Sequence, residues 1–328
     1  MNKKEILYPE HPNGIYLYET PMIGGIRQYI QIRGQDKNNP VVLFLHGGPG
    51  GALSGVTHVV HAGWEERFTV VNWDQRGSGR SYTANRGRIR EIGKTGTIED
   101  YVRDIDEIIA YLHTVLDFDK LILMGFSWGT LIGVEYAKRH PENLRCCISI
   151  GQYVHYSSGI LLTCEKLLRL IPEGSADARK VKKIIEQMPE HPQWDRKLMM
   201  IMRHFTPLCG KYIIKHAKRT PILEVLRSPF WNLREKWITT VPDSRAFACT
   251  LRTMMDYDFR QEPEFAVPML FVFGEEETVC PMELVRDSFA EITAPRKQIA
   301  VIPEASHACF FDQPERFWQA VEGFLADE

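Results

Sequence analysis

Ser127 stands in Gly125-Phe126-Ser127-Trp128-Gly129, between an apolar run, Leu121 to Met124, and a helical pattern that reaches about His140, where Pro141 cannot continue it. A serine on so tight a strand-to-helix turn is held in a strained backbone conformation, and small residues two before and two after leave room for it. Its hydroxyl is presented at a helix N-terminus, whose positive end favours developing negative charge. Such a group is a candidate nucleophile for acyl transfer, a chemistry that needs a base for the hydroxyl and donors for the oxyanion. The segment His46-Gly47-Gly48-Pro49-Gly50 follows an earlier apolar run and lets backbone N–H groups approach a substrate oxygen. The expected donors are the amides of Trp128 and Gly48, with Gly47 the alternative to Gly48.

Eleven histidines could supply the base. His307, in Pro303-Glu304-Ala305-Ser306-His307, follows the last strand pattern and precedes the final helix, at the sheet edge where ligands bind. His46 is the rival, but its glycine-rich turn suits a structural hydrogen bond. A third group must orient the imidazole, and the chain order Ser, acid, His places it after the penultimate strand. That segment reads Gly274-Glu275-Glu276-Glu277-Thr278-Val279-Cys280-Pro281, and spacing alone leaves all three carboxylates open.

The elements that must position these groups alternate. Ile26 to Arg33 alternates apolar and polar residues, the pattern of a half-buried strand. Val41 to Leu45, Phe68 to Trp73, Leu121 to Met124 and Cys146 to Ile150 are continuous apolar runs, suited to a parallel sheet buried on both faces. Thr97 and Asp100 have the spacing of a capping box and open an amphipathic helix through Leu112. Strand patterns return at Met269 to Phe273 and Gln298 to Ile302, followed by a helix from Pro314 to Leu325.

Between these halves, Gln152 to Ala246 shows helical stretches and no clear strand. This window holds 17 Lys and Arg against 9 Asp and Glu, a formal charge of about +8, and the remainder carries about −10 because the total is −2. The shift predicts an inserted helical lid. The expected organisation is a doubly wound, mostly parallel α/β core in residues 1–151 and 249–328, with an all-helical cap over 152–248. Most lid cations are expected to solvate helix faces, and Phe230-Trp231 and Met199-Met200-Ile201-Met202 to pack the lid or line an apolar pocket.

Composition sets the class. A length of 328 residues and a net charge of −2 fit an ordinary globular chain with no global field toward nucleic acid. The first residues lack an apolar signal core, and no run of about eighteen apolar residues suggests a membrane span. Seven cysteines, odd in number and several in apolar runs, suggest reduced core thiols in a cytoplasmic protein rather than a disulfide framework or zinc site. No metal or organic cofactor is expected, and the oligomeric state is open.

Together the motifs resemble the proline iminopeptidases, the S33 peptidase branch of the α/β hydrolases. The resemblance is carried by His46-Gly47-Gly48-Pro49-Gly50, Asp74-Gln75-Arg76-Gly77-Ser78-Gly79-Arg80-Ser81, Gly125-Phe126-Ser127-Trp128-Gly129, Gly274 through Cys280-Pro281, and Ser306-His307. It spans roughly residues 14–150 and 260–328. It implies an α/β-hydrolase fold, no cofactor, and release of an N-terminal residue from a short peptide. The family's triad acid is an Asp four residues before the Cys-Pro proline. Glu277 holds that position here and is the acid the resemblance implies. Asp74 and Arg76 match the family's loop-bracing residues. The family also holds the substrate ammonium with a carboxylate near the end of the lid, where Asp256 and Asp258 stand in this chain. A lid of about +8 suits an anionic substrate better than an ammonium. The activity the resemblance implies is nonetheless an acyl-enzyme aminopeptidase acting on short peptides or amino-acid amides. A carboxylesterase or other small-acyl hydrolase with the same triad is the alternative, and a non-catalytic ligand receptor a further one.

Overall fold

The computed structural model describes residues 3–218, 222–240, 243–261 and 263–326. Met1, Asn2 and lid residues 219–221 and 241–242 therefore lie outside the described residues.

The described residues build an eight-stranded sheet: β1 (Ile15–Glu19), β2 (Tyr29–Gly34), β3 (Val41–Leu45), β4 (Thr69–Asp74), β5 (Leu121–Phe126), β6 (Leu144–Ile150), β7 (Met269–Gly274) and β8 (Lys297–Ile302). Their spatial order is β1-β2-β4-β3-β5-β6-β7-β8. The first two strands run antiparallel to their neighbours, and every pairing from β4 through β8 is parallel. The apolar runs of β3, β4 and β7 are buried along their whole length, as strands covered by helices on both faces must be.

Two helices flank the nucleophile's strand in sequence. Helix α1 (Ile98–Leu112) starts at the expected capping box, in which the Thr97 side chain accepts from the Asp100 amide and the Asp100 side chain returns the bond. It buries Tyr101, Val102, Ile105, Ile108, Ile109 and Leu112 against the sheet. Helix α2 (Trp128–Arg139) is buried on nearly every side, with Leu131, Ile132 and Val134 at 0 % exposure. It stops just before Pro141.

Between β6 and β7 the described residues form helices, among them α3 (Tyr156–Leu170), α4 (Ala176–Gln187), α5 (Arg196–Tyr212) and α6 (Ala248–Asp256). Helices α3, α4 and α5 share a small core of their own, built on Ile160, Leu167, Val181, Ile184, Ile201 and Phe205. Met199 and Met200 point to solvent, whereas Ile201 is buried in that core. The chain closes on α7 (Pro314–Ala326), whose Phe317, Trp318, Val321 and Phe324 cover the sheet.

One expectation needs correction. The stretch from Ile26 to Arg33 is not one half-exposed strand. It divides at Gln28 into a short hairpin strand (Ile26–Arg27) and β2, which is buried at every position. Its polar residues are interior groups with partners. The Gln31 side chain donates to the Ser54 carbonyl at 3.1 Å, and Arg33 meets Glu65 through two nitrogens at 2.6 and 3.1 Å. Alternation of residue type recorded the two faces of the strand, and both faces are covered.

Candidate active site

Ser127 sits at the junction of β5 and α2 with φ 54° and ψ −121°, one of two non-glycine residues with positive φ among the described residues. Its amide donates to the Ile150 carbonyl at 2.9 Å, which fixes the turn to the end of β6. The turn packs tightly on the neighbouring strand. A Cβ at position 129 would lie 2.1 Å from the Leu45 carbonyl oxygen, so only glycine fits there.

His307 lies in the loop after β8, and its Nδ1 is 2.7 Å from Glu277 Oε2. Glu277 is 2 % exposed, and its other oxygen accepts the amides of Val279 at 2.7 Å and Cys280 at 3.0 Å. Burial alone would raise this carboxyl. The His307 charge, the bond to it and the two amides outweigh burial and hold Glu277 below its ordinary value. Its two neighbours serve elsewhere. Glu275 accepts from the Glu304 amide at 3.1 Å, and Glu276 from the amides of Lys215 and His216. Distance thus selects Glu277 as the carboxylate beside His307. That pairing leaves Nε2 as the nitrogen free to face a hydroxyl. The rings of Phe126 and His307 are 4.8 Å apart, so the imidazole packs against the residue just before Ser127.

Ser127, Trp128 and Gly48 line one cavity of about 190 Å³. The Trp128 amide is the first of α2 and has no acceptor within the helix. Gln75 braces both sides of this wall. Its side chain accepts from Trp128 Nε1 at 3.0 Å and donates to the His46 carbonyl at 3.0 Å. His46 is buried, with Nδ1 2.8 Å from the Gly47 carbonyl and Nε2 3.2 Å from the Gln75 amide. Burial lowers its pKa to about 4, so it remains neutral and holds the glycine-rich loop in place. Asp74 and Arg76 likewise brace loops: Asp74 accepts from Ser54 and the Arg80 amide, and Arg76 forms a two-point pair with Asp104.

A second nucleophilic atom shares the cavity wall. Burial, with Glu277 nearby, keeps the Cys280 thiol well above the usual thiol range, against the opposing contact of the Ser127 hydroxyl. A protonated thiol is a poor nucleophile, so Cys280 is part of the cavity wall.

The residues expected to contact substrate do not gather here. Phe230 and Trp231 are 2 % and 4 % exposed and pack elsewhere. Trp231 lies flat on Gly55, where a Cβ would come within 1.8 Å of its ring, and its Nε1 donates to Ser54 at 3.2 Å. Phe230 packs at a tilt against Tyr18 and lies under the Arg33 guanidinium. Asp256 and Asp258 share a separate depression with Glu135 and Lys138, and Asp258 is paired with Arg260 at 2.6 Å. Among the described residues the cavity around Ser127 is lined by uncharged side chains and His155, chiefly Tyr153, Tyr156, Met202, Phe205 and Leu284.

One site residue went unnoticed in the sequence. Gly151 has φ 62°, and a Cβ there would lie 2.9 Å from His307 Cε1 and 3.2 Å from Glu277 Oε2. Its signal was present: a glycine directly after a buried strand, at the carboxyl edge of the sheet.

A strained serine on a strand-to-helix turn, at the carboxyl edge of a mostly parallel sheet with a helical insertion, defines the class of α/β hydrolases. The chain belongs to the alpha/beta hydrolase fold family, whose sequence profile matches residues 40–314. It is 26 % identical over 301 residues to a probable aminopeptidase, YbaC, of Bacillus subtilis strain 168, covering 90 % of this chain and 92 % of that protein. It is 32 % identical over 146 residues to a proline iminopeptidase of Neisseria meningitidis, a match covering 43 % of each chain. The fold is that of a proline iminopeptidase-related protein from Thermus thermophilus, with a TM-score of 0.65, 20 % identity, and coverage of 95 % of this chain and 97 % of that one. The chain is therefore a hydrolase with aminopeptidase-like relatives. Among the described residues no helix is long and apolar enough to cross a membrane.

Proposed function

We propose that this chain is a serine hydrolase that works through an acyl-enzyme on Ser127, and that its substrates are short peptides or amino-acid amides. The observation that carries this reading is the strained Ser127 in the wall of a cavity, with a His307–Glu277 pair in the adjoining loops whose carboxylate is buried. His307 takes the hydroxyl proton as Ser127 attacks the carbonyl, and later gives it to the leaving group. Glu277 fixes the imidazole tautomer and stabilises its cationic form. The amides of Gly48 and Trp128 hold the oxyanion, and water then resolves the ester. The aminopeptidase part of the proposal draws on what the relatives' names describe.

A second reading, a carboxylesterase or other small-acyl hydrolase, is favoured by the lining of the cavity, in which the described residues bring no carboxylate to meet an ammonium. A panel of aminoacyl-naphthylamides beside short p-nitrophenyl esters separates the two. The aminopeptidase reading expects kcat/KM to depend on a free amino group, and N-acetylation of the substrate to abolish turnover. Equal or better turnover of the acetylated substrates and simple esters overturns it in favour of the second reading.

A further inference from the structure

Two of the points that fasten the lid to the core each adjoin one member of the acid–base pair. After α5 the chain runs as a strap through residues 213–218. Ile214 at its start lines the cavity around Ser127. The next two residues are held by Glu276: its Oε2 accepts the amides of Lys215 at 2.6 Å and His216 at 2.9 Å, and its Oε1 is 2.6 Å from His216 Nδ1. Two residues further on, the Lys218 amide donates to Asp312 Oδ1 at 2.6 Å. The second oxygen of Asp312 accepts both the amide and the hydroxyl of Ser306, at 2.7 and 2.6 Å. Glu276 immediately precedes Glu277, and Ser306 immediately precedes His307. The two loops are also joined directly, by the Glu276 amide donating to the Ala305 carbonyl at 2.8 Å.

Both carboxylates are withdrawn from water, Glu276 at 9 % exposure and Asp312 at 1 %. A buried carboxylate demands its full set of donors, and here the strap supplies three bonds to Glu276 and one to Asp312. Lifting the strap would strand charge beside Glu277 and beside His307 at once, and both loops would have to shift to find new partners.

We propose that Glu276 and Asp312 are positioning residues: they fasten the strap to the loops carrying Glu277 and His307, so that seating the lid over the cavity and aligning the acid–base pair are one event. The proposal rests on the roles assigned to those two residues above.

The test is the acylation burst with p-nitrophenyl acetate, an ester too small to need the lid for binding, expressed per active site counted by fluorophosphonate labelling of Ser127. Glu276→Ala and Asp312→Ala should each lower the acylation rate per labelled site by about tenfold or more, because small displacements of reacting groups are costly. KM for this ester should hardly move. Glu276→Gln, which keeps one carbonyl acceptor for the strap amides, should recover most of the rate. Lys218→Pro removes the strap's donor to Asp312 without touching either core loop. It should give a smaller loss in the same direction, with faster hydrogen exchange at residues 213–218, and it decides the matter alone if the core variants fail to fold. Faster strap exchange with a wild-type acylation rate per labelled site overturns the latch and leaves the serine mechanism standing. Failure of the wild-type enzyme to label at Ser127 removes the underlying assignment, and the latch with it.

Discussion

Glu277 shows how much of this site depends on one side chain being held from several directions. It is fully enclosed, yet it stays charged because His307 and two backbone amides face it. A glutamine there would keep the shape and lose the charge, and its amide could hold the imidazole in the wrong tautomer. Glu277→Gln is expected to lower kcat by about 10³- to 10⁴-fold while leaving the folded structure intact. Stopped-flow turnover beside circular dichroism checks this, and a loss under tenfold would take the orienting role away from Glu277. At this scale the sequence was informative where chain order constrained the choice, as for Ser127 and His307. Spacing alone left the acid open among three adjacent glutamates, and only the resemblance to the iminopeptidases pointed to Glu277. In the fold they separate because Glu275 and Glu276 are used by the Glu304 amide and the lid strap, whereas Glu277 meets His307.

The strands and helices were legible because their burial patterns follow directly from residue type. β3, β4, β5 and β7 read as apolar runs, and α1 announced itself by its cap and its apolar stripe. The lid was legible as helix but not as contact. Aromatic pairs such as Phe230-Trp231 suggest a pocket wall in sequence, yet Trp231 fills the space above Gly55 and joins lid to core without lining the cavity. Nothing local to either residue encodes that meeting. Trp231→Ala should therefore cost about 3–5 kcal/mol of stability through the cavity it leaves. Its rate per active site should change by less than about threefold, since the ring does not line the cavity. Urea denaturation and active-site-titrated kinetics measure the two effects. A large change in substrate preference with unchanged stability would return Trp231 to the substrate pocket.

Over the whole molecule, buried carboxylates pull stability in opposite directions with pH. Burial raises Asp74 to about 6, against the Arg80 amide, Ser54 and the Arg80 charge, with Glu235 adding to the rise. A carboxyl raised in the folded state binds its proton more tightly there, so its contribution grows as pH falls from above 6 toward its unfolded value and is lost as pH rises through about 6. Glu277, held below its ordinary value, contributes above its unfolded value and loses that contribution as pH falls through its lowered one. The wild-type protein should gain stability from this group between pH 7 and 5, and Asp74→Asn should remove that gain, measured as the urea midpoint against pH. An identical profile in the variant would mean that Asp74 does not carry the proton. The whole fold, in this reading, serves the reactivity of a single oxygen atom. Intact-mass and peptide-mapping analysis of the wild-type and Ser127→Ala proteins after fluorophosphonate treatment locates that atom. We expect one adduct, on Ser127, in the wild type, and none in the variant, with turnover lower by about 10³-fold or more. An adduct on another residue, or a Ser127→Ala protein that still turns over substrate at the wild-type rate, would contradict the assignment.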